Sequence, residues 1–156
     1  MRITLLAVGR LRAGPENELI SDYLSRFDRT GRALGLGPVQ VVEVEARKGG
    51  GQVEEARLLA SALPKGAVTA VLDERGRTLS SPDFADTLRR WADTGVRDLA
   101  LVIGGADGLT REFRDAADFR LSLGPMVWPH MLVRVMVSEQ LYRAVSILAG
   151  APYHRA

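Results

Sequence analysis

The most reactive group of side chains lies at the end of the chain, where Tyr153, His154 and Arg155 follow Pro152. A phenol, an imidazole and a guanidinium side by side can stack on a base, take a proton and hold a phosphate or an oxyanion. Frayed termini usually carry simple polar residues, so this one reads either as a tail docked on the fold or as a reactive tail. The second concentration is bare main chain. Three apolar runs end in glycine: Val71-Leu72-Asp73-Glu74-Arg75-Gly76, Ile103-Gly104-Gly105-Ala106-Asp107-Gly108 and Leu123-Gly124-Pro125-Met126-Val127-Trp128-Pro129-His130. Backbone amides at such strand ends can approach a ligand directly, which is where α/β sheets bind small molecules. The middle run is spaced G-G-x-x-G and lacks the lysine and hydroxyl of a P-loop, so a dinucleotide or ATP reading is weak. In the third, Met126, Val127 and Trp128 precede a helix start. That suits a flat aromatic group such as adenine, and reads equally as an apolar loop tucked under the sheet. His130 falls at the positive end of the helix dipole, which favours a neutral, structural or pocket-lining role over general acid work.

Missing residue types narrow the chemistry further. The 156 residues contain no cysteine, which removes disulfides, thiolate zinc sites, iron–sulfur clusters and cysteine nucleophiles. His130 and His154 are too few and too far apart for a zinc cluster, so no metal is expected. Lysine and arginine outnumber aspartate and glutamate by 21 to 19, a net charge of +2, so bulk charge makes no case for nucleic acid. The kind of base says more: only Lys48 and Lys65 are lysines, and arginine suits planar phosphate and base contacts, although genomic base composition produces the same bias. The apolar stretch over residues 3–8 is followed by Arg10 and Arg12 in place of a cleavage site, and no run approaches the roughly 18 residues of a membrane span. A cytoplasmic location without membrane contact is expected.

The elements that must position these groups follow from periodicity. Apolar runs alternate with helical patterns along the chain, which predicts an α/β protein with a largely parallel sheet. Residues 3–8 form the first strand. After Gly14-Pro15, the residues Leu19, Ile20, Tyr23, Leu24 and Phe27 recur on one helix face until Gly31, Gly35 and Gly37-Pro38 stop it. Residues 39–45 alternate valine with Glu43 and Glu45, the pattern of an edge strand. The basic surface loop Ala46-Arg47-Lys48-Gly49-Gly50-Gly51 reads as a connector, with phosphate binding as the alternative, and leads into a helix from about residue 52 to Pro64. A third strand over 67–73 is followed by a helix with Ser81 as N-cap and Pro82 at its first position, carrying Phe84, Leu88 and Trp91. Residues 99–103 are almost wholly apolar, as a central strand is, and 119–123 make a short fifth strand. The last helix runs from Pro129 or His130 to Ala149. Its apolar residues surround most of its circumference, so a second subunit is expected to cover part of them. Arg134 and Arg143 also lie on this helix, and a Glu139–Arg143 pair at i,i+4 is an adequate structural explanation for one. No repeat, linker or composition change divides the chain, so residues 1–156 are expected to form one domain.

Several of these segments are also familiar as a set. IGGADGL, WPHMLVRVMVSEQLYRA and the closing PYHR, with ITLLAVGR and LDERGRTLSS upstream, together resemble the ribosomal large-subunit pseudouridine N3-methyltransferase family of the SPOUT superfamily, over essentially the whole chain. The resemblance implies a SPOUT-type α/β knot: a mostly parallel sheet flanked by helices, with a C-terminal segment threading a deep trefoil knot against the usual rule. It implies S-adenosyl-L-methionine as cofactor, held by Leu72, Gly105, Gly124, Pro125, Met126, Val127, Trp128 and Pro129. It also implies a homodimer whose substrate is a pseudouridine in ribosomal RNA, recognised on the assembled ribosome. With no appended RNA-binding domain in view, the dimer surface itself is expected to find that RNA, and Arg134 and Arg143 are candidates to reach it or the site. Methyl transfer by in-line displacement needs alignment and exclusion of water, and the imide N3 must lose its proton. His154 is then the candidate base, Arg155 the group that steadies phosphate or oxyanion, and Tyr153 the partner that stacks on or hydrogen-bonds the base. On this reading the tail completes a site whose cofactor is held by the partner subunit. Two positions depart from the family pattern: Ala156 replaces a charged residue after the arginine, and Trp128 stands where leucine or phenylalanine is usual. The competing readings are a catalytically silent ribosome-associated RNA binder, which would bind no S-adenosylmethionine, and a methyltransferase acting on a transfer RNA base.

Overall fold

In the computed structural model, residues 1–155 are described; Ala156, one of the two departures noted above, lies outside them. Five strands, β1 (Arg2–Val8), β2 (Val39–Val44), β3 (Val68–Thr78), β4 (Asp98–Ile103) and β5 (Phe119–Ser122), form one sheet in the order β2-β1-β4-β3-β5. Every pairing is parallel. The apolar β4 occupies the centre and is buried from Leu99 to Ile103, while the valine–glutamate alternation of β2 places it at one edge.

Helices α1 (Pro15–Gly31), α3 (Ser81–Asp93) and α5 (His130–Leu148) cover one face of the sheet, with α2 (Gly51–Ala62) and the short α4 (Arg111–Ala116) on the other. The period of two along β1 divides the cores. Ile3, Leu5 and Ala7 meet Ile20, Leu24 and Phe27 of α1 and Val137, Leu141 and Val145 of α5, while Leu6 and Val8 meet Leu59 of α2 and Leu109. α1 starts as its sequence predicts, with Pro15 in the first turn and Glu16 and Glu18 at the positive end of the dipole.

Three elements differ from expectation. β3 does not stop at residue 73. It continues to Thr78, and Leu121 of β5 pairs with both Leu72 and Arg77, so residues 73–76 loop out as a bulge. Gly76 permits the strand to rejoin, because a Cβ there would lie 2.7 Å from the carbonyl carbon and oxygen of Arg120. The N-cap of α3 is Ser80, whose Oγ accepts from the N–H of Asp83 at 3.2 Å, which moves Ser81 to the first helical position and Pro82 to the second. α4 was not expected; Thr110 caps it by accepting from the N–H of Phe113 at 3.2 Å.

Expected as mostly apolar all round, α5 is covered by its own chain on the side that packs against α1 and α3. Met131 and Leu132 remain about 40% exposed, and Val135 and Met136 are half-buried. No helix among the described residues is long and apolar enough to cross a membrane.

Candidate active site

Strands β4, β3 and β5 are neighbours and run the same way, so the three glycine-marked segments leave the sheet at one end. They converge on a cavity of about 670 Å³. Leu72, Gly105, Gly124, Met126, Val127, Trp128 and Pro129 line it, as the sequence suggested, whereas Pro125 is not among the lining residues. Met126 and Val127 are 68% and 83% exposed, so this segment is not an apolar loop tucked under the sheet. Gly105 presents bare main chain to the cavity because its back is crowded: a Cβ would meet the Glu55 carboxylate at 2.9 Å and Val8 Cγ1 at 3.1 Å. That carboxylate has its pKa raised, first by burial and then by the charge of Asp107.

Sequence reasoning missed a polar pair in the cavity wall. Arg114 Nη1 donates to Asp73 Oδ2 at 3.1 Å, and Asp73 Oδ1 accepts from the N–H of Arg75 at 2.9 Å, which holds the β3 bulge in shape. Asp73 ends the third strand that the sequence predicts, but the bulge it opens and the helix α4 that carries Arg114 were not expected. The available signal was Thr110 followed by the acidic first turn of α4.

At the start of α5, His130 lines the cavity and its pKa is lowered by burial, then by the charge of Arg134. The lowered pKa favours the neutral ring, and the residue lines the pocket. Arg134, a candidate for RNA contact, is corrected: it is 1% exposed. Its Nη2 donates to the carbonyls of Val8 and Gly9, and its Nη1 donates to Glu43 Oε1 at 2.8 Å. It ties the helix to the ends of β1 and β2 and is inaccessible to nucleic acid.

The tail lies apart from this cavity. Tyr153 donates its hydroxyl to Glu139 Oε1 at 3.0 Å, with its ring 4.6 Å from the Tyr142 ring and the Arg143 guanidinium 4.8 Å over its centre. Burial and the Glu139 contact push the phenol pKa up, so its proton is held. Arg143 pairs with Glu139 as the i,i+4 spacing predicted, and its Nη1 donates to His154 Nδ1 at 3.4 Å. The tail is therefore docked, and none of Tyr153, His154 and Arg155 lines the cavity of the same chain. From His130 to Arg143, α5 rises about 20 Å. An apolar groove of about 630 Å³ spans the interval between Leu19 and Tyr23 of α1, Phe84 of α3, and Val135 and Met136 of α5, sharing Leu121, Leu123 and Gly124 with the cavity.

Comparison with known proteins matches residues 1–154 to the family described as "Predicted SPOUT methyltransferase". The chain is 71% identical over 155 residues to a protein of Roseobacter denitrificans named Ribosomal RNA large subunit methyltransferase H. It is 68% identical, again over 155 residues, to a protein of that name from Ruegeria pomeroyi. Each match covers 99% of both chains.

Proposed function

The chain belongs to the SPOUT methyltransferase family, and from that premise we propose that it transfers a methyl group from S-adenosyl-L-methionine to N3 of a pseudouridine in large-subunit ribosomal RNA. The whole chain acts as one methyltransferase domain, in the cytoplasm, as a homodimer on the assembled ribosome. The observation that carries this reading is the convergence of three main-chain turns from adjacent parallel strands on one cavity.

The residues present fit the cofactor. Apolar Leu72, Ile103, Leu121, Val133 and Trp128 offer walls for a flat purine, and the bare main chain at Gly104, Gly105 and Gly124 lets polar groups approach closely. Asp107 at the same cavity, in no ion pair among the described residues, offers a charge that suits a cationic sulfonium, whereas Asp73 and Glu74 are paired with Arg114 and Arg75. When bound, S-adenosylmethionine supplies an activated methyl group. Leu72, Gly105, Gly124, Met126, Val127, Trp128 and Pro129 would hold it, with Pro125 within the same turn. His130, whose pKa is lowered by burial and then by the charge of Arg134, lines the same cavity.

For the acceptor, His154 takes the N3 proton and Arg155 steadies the developing oxyanion or a neighbouring phosphate. Tyr153 is a positioning residue. Its hydroxyl is committed to Glu139 and its ring is held between Tyr142 and Arg143, which fixes the two residues that follow. Because the docked tail lies along α5 away from the cavity of its own chain, the tail serves the partner's cavity. The apolar groove shared with that cavity, flanked by the exposed Leu19, is the surface on which the partner packs.

Truncation after Pro152 tests this assignment. Cofactor binding should survive within about twofold while methylation of ribosomes falls below about a thousandth of wild type. An unchanged methylation rate removes the tail from the mechanism. Mass spectrometry of ribosomal RNA from a strain lacking the protein should show one pseudouridine without its methyl group, and a full complement of methylated bases overturns the acceptor.

A further inference from the structure

The proposed reaction requires the enzyme to grip RNA beside the cofactor cavity, and a strip of cations stands there. The sheet is parallel, so the segments after β1 and β2 leave it on the same side as the three turns of the cavity. β1 lies directly against β4, with Ala7 opposite Ile103, and against β2, with Val8 opposite Val44. The two segments thus start about 5 Å apart, next to the turn at Gly104. They carry Arg10, Arg12, Arg47 and Lys48, all exposed, with the exposed Glu45 among them. None of the four cations takes part in an ion pair among the described residues, whereas Arg2, Arg26, Arg111, Arg114, Arg120, Arg134 and Arg143 are each paired with a carboxylate.

The strip is built rather than loose. Leu11 packs on the core and donates its N–H to Glu43 Oε1 at 2.9 Å, the oxygen that also accepts from Arg134, and Arg134 fixes the carbonyls of Val8 and Gly9. The segment is pinned at Leu11, so Arg10 and Arg12 extend outward from either side of an anchored residue. On the neighbouring segment, a Cβ added at Gly49 would meet nothing within 4 Å, so the main chain beside Lys48 faces open space.

We propose that Arg10, Arg12, Arg47 and Lys48 form a phosphate-binding rim that takes the backbone of the substrate RNA on the β1–β2 side of the cofactor cavity. Such contacts set where the RNA lies and carry no sequence information, which comes from the acceptor site and the fold of the RNA. Guanidinium forks are suited to phosphate oxygens, and the pinned arginines lose little freedom on binding. The inference rests on the proposed function.

The test replaces all four residues with glutamine, and compares this variant with one in which Arg29, Arg32, Lys65 and Arg97, which are exposed and unpaired elsewhere on the chain, are replaced instead. Purified 70S ribosomes lacking the modification are the probe, in binding and in methylation. Rim replacement should raise the KM and the Kd for ribosomes at least about tenfold, lower the salt slope of binding by up to about 3, and leave kcat and cofactor affinity within about twofold. The control variant should stay within about twofold of wild type throughout. Equal effects of the two variants, or no effect of the rim variant, overturn the rim. Wild-type protein that binds ribosomes through the rim but methylates nothing overturns the proposed function and leaves the rim standing. A loss that is independent of salt points to a protein contact and overturns the phosphate assignment.

Discussion

Arg134 shows how a single residue changes meaning once its surroundings are known. In the sequence it is one of two arginines of the last helix that are candidates to reach RNA or the site; in the fold it is buried, and three acceptors, at Val8, Gly9 and Glu43, receive its guanidinium. No periodicity argument predicts this, because the acceptors are two backbone carbonyls and a glutamate far away in sequence. Replacing Arg134 with methionine takes the donor from the Val8 and Gly9 carbonyls and the counter-charge from Glu43, and should destabilise the protein by about 3–5 kcal/mol, read from urea unfolding. Adding Glu43→Gln, which removes the unpaired charge while preserving an acceptor for Leu11, should restore part of the loss. Identical stability of the single and double variants contradicts the ion-pair account. His130 provides a second expectation. Its folded pKa is lowered, so between that value and the unfolded value of about 6.5 the unfolded chain binds more protons, and stability rises with pH. Unfolding free energy should therefore fall as pH drops below about 6.5, well above the range where carboxylates titrate, and His130→Gln should flatten this part of the profile.

At the level of elements, residue patterns located all five strands, because apolar runs bounded by glycine or proline mark buried parallel strands, and the one-face spacing in α1 and the nearly all-round apolar pattern of α5 mark helices packed on a core. The bulge in β3 escaped. Asp73-Glu74-Arg75-Gly76 looks like a turn that ends a strand, and only pairing with β5, distant in sequence, shows the strand resuming at Arg77. The consequence is functional, since the looped-out Asp73 and Arg75 form part of the cavity wall with Arg114. Gly76→Ala should push β3 from β5 at Arg120, where only 2.7 Å is available, and weaken S-adenosylmethionine binding at least about tenfold by titration calorimetry. Ser80→Ala, which removes the cap of α3 at a residue that does not line the cavity, should lower stability by about 1 kcal/mol without altering cofactor affinity. Comparable loss of affinity in both variants separates the bulge from any special role at the site.

For the whole molecule, the proposed function requires two clusters separated along α5 to act on one nucleotide. The cavity and the tail were both legible as chemistry in the sequence, but their separation was not, because it depends on Tyr153 docking against Glu139 and Tyr142 rather than on local spacing. Joining them within one chain would require the tail to leave its aromatic and ionic anchors. Joining them across a dimer requires only that a second copy pack on the apolar groove beside the cavity. Mixed dimers distinguish these routes. A subunit truncated after Pro152 keeps its cavity and loses its tail, while Trp128→Glu places a charge in the cavity wall and leaves the tail intact. Each is expected to be inactive alone. If the tail serves the partner, half of a random equimolar mixture is heterodimeric, and each heterodimer holds one complete site, so about a quarter of wild-type methylation should return. If the tail serves its own chain, no dimer in the mixture contains a complete site and the mixture stays inactive.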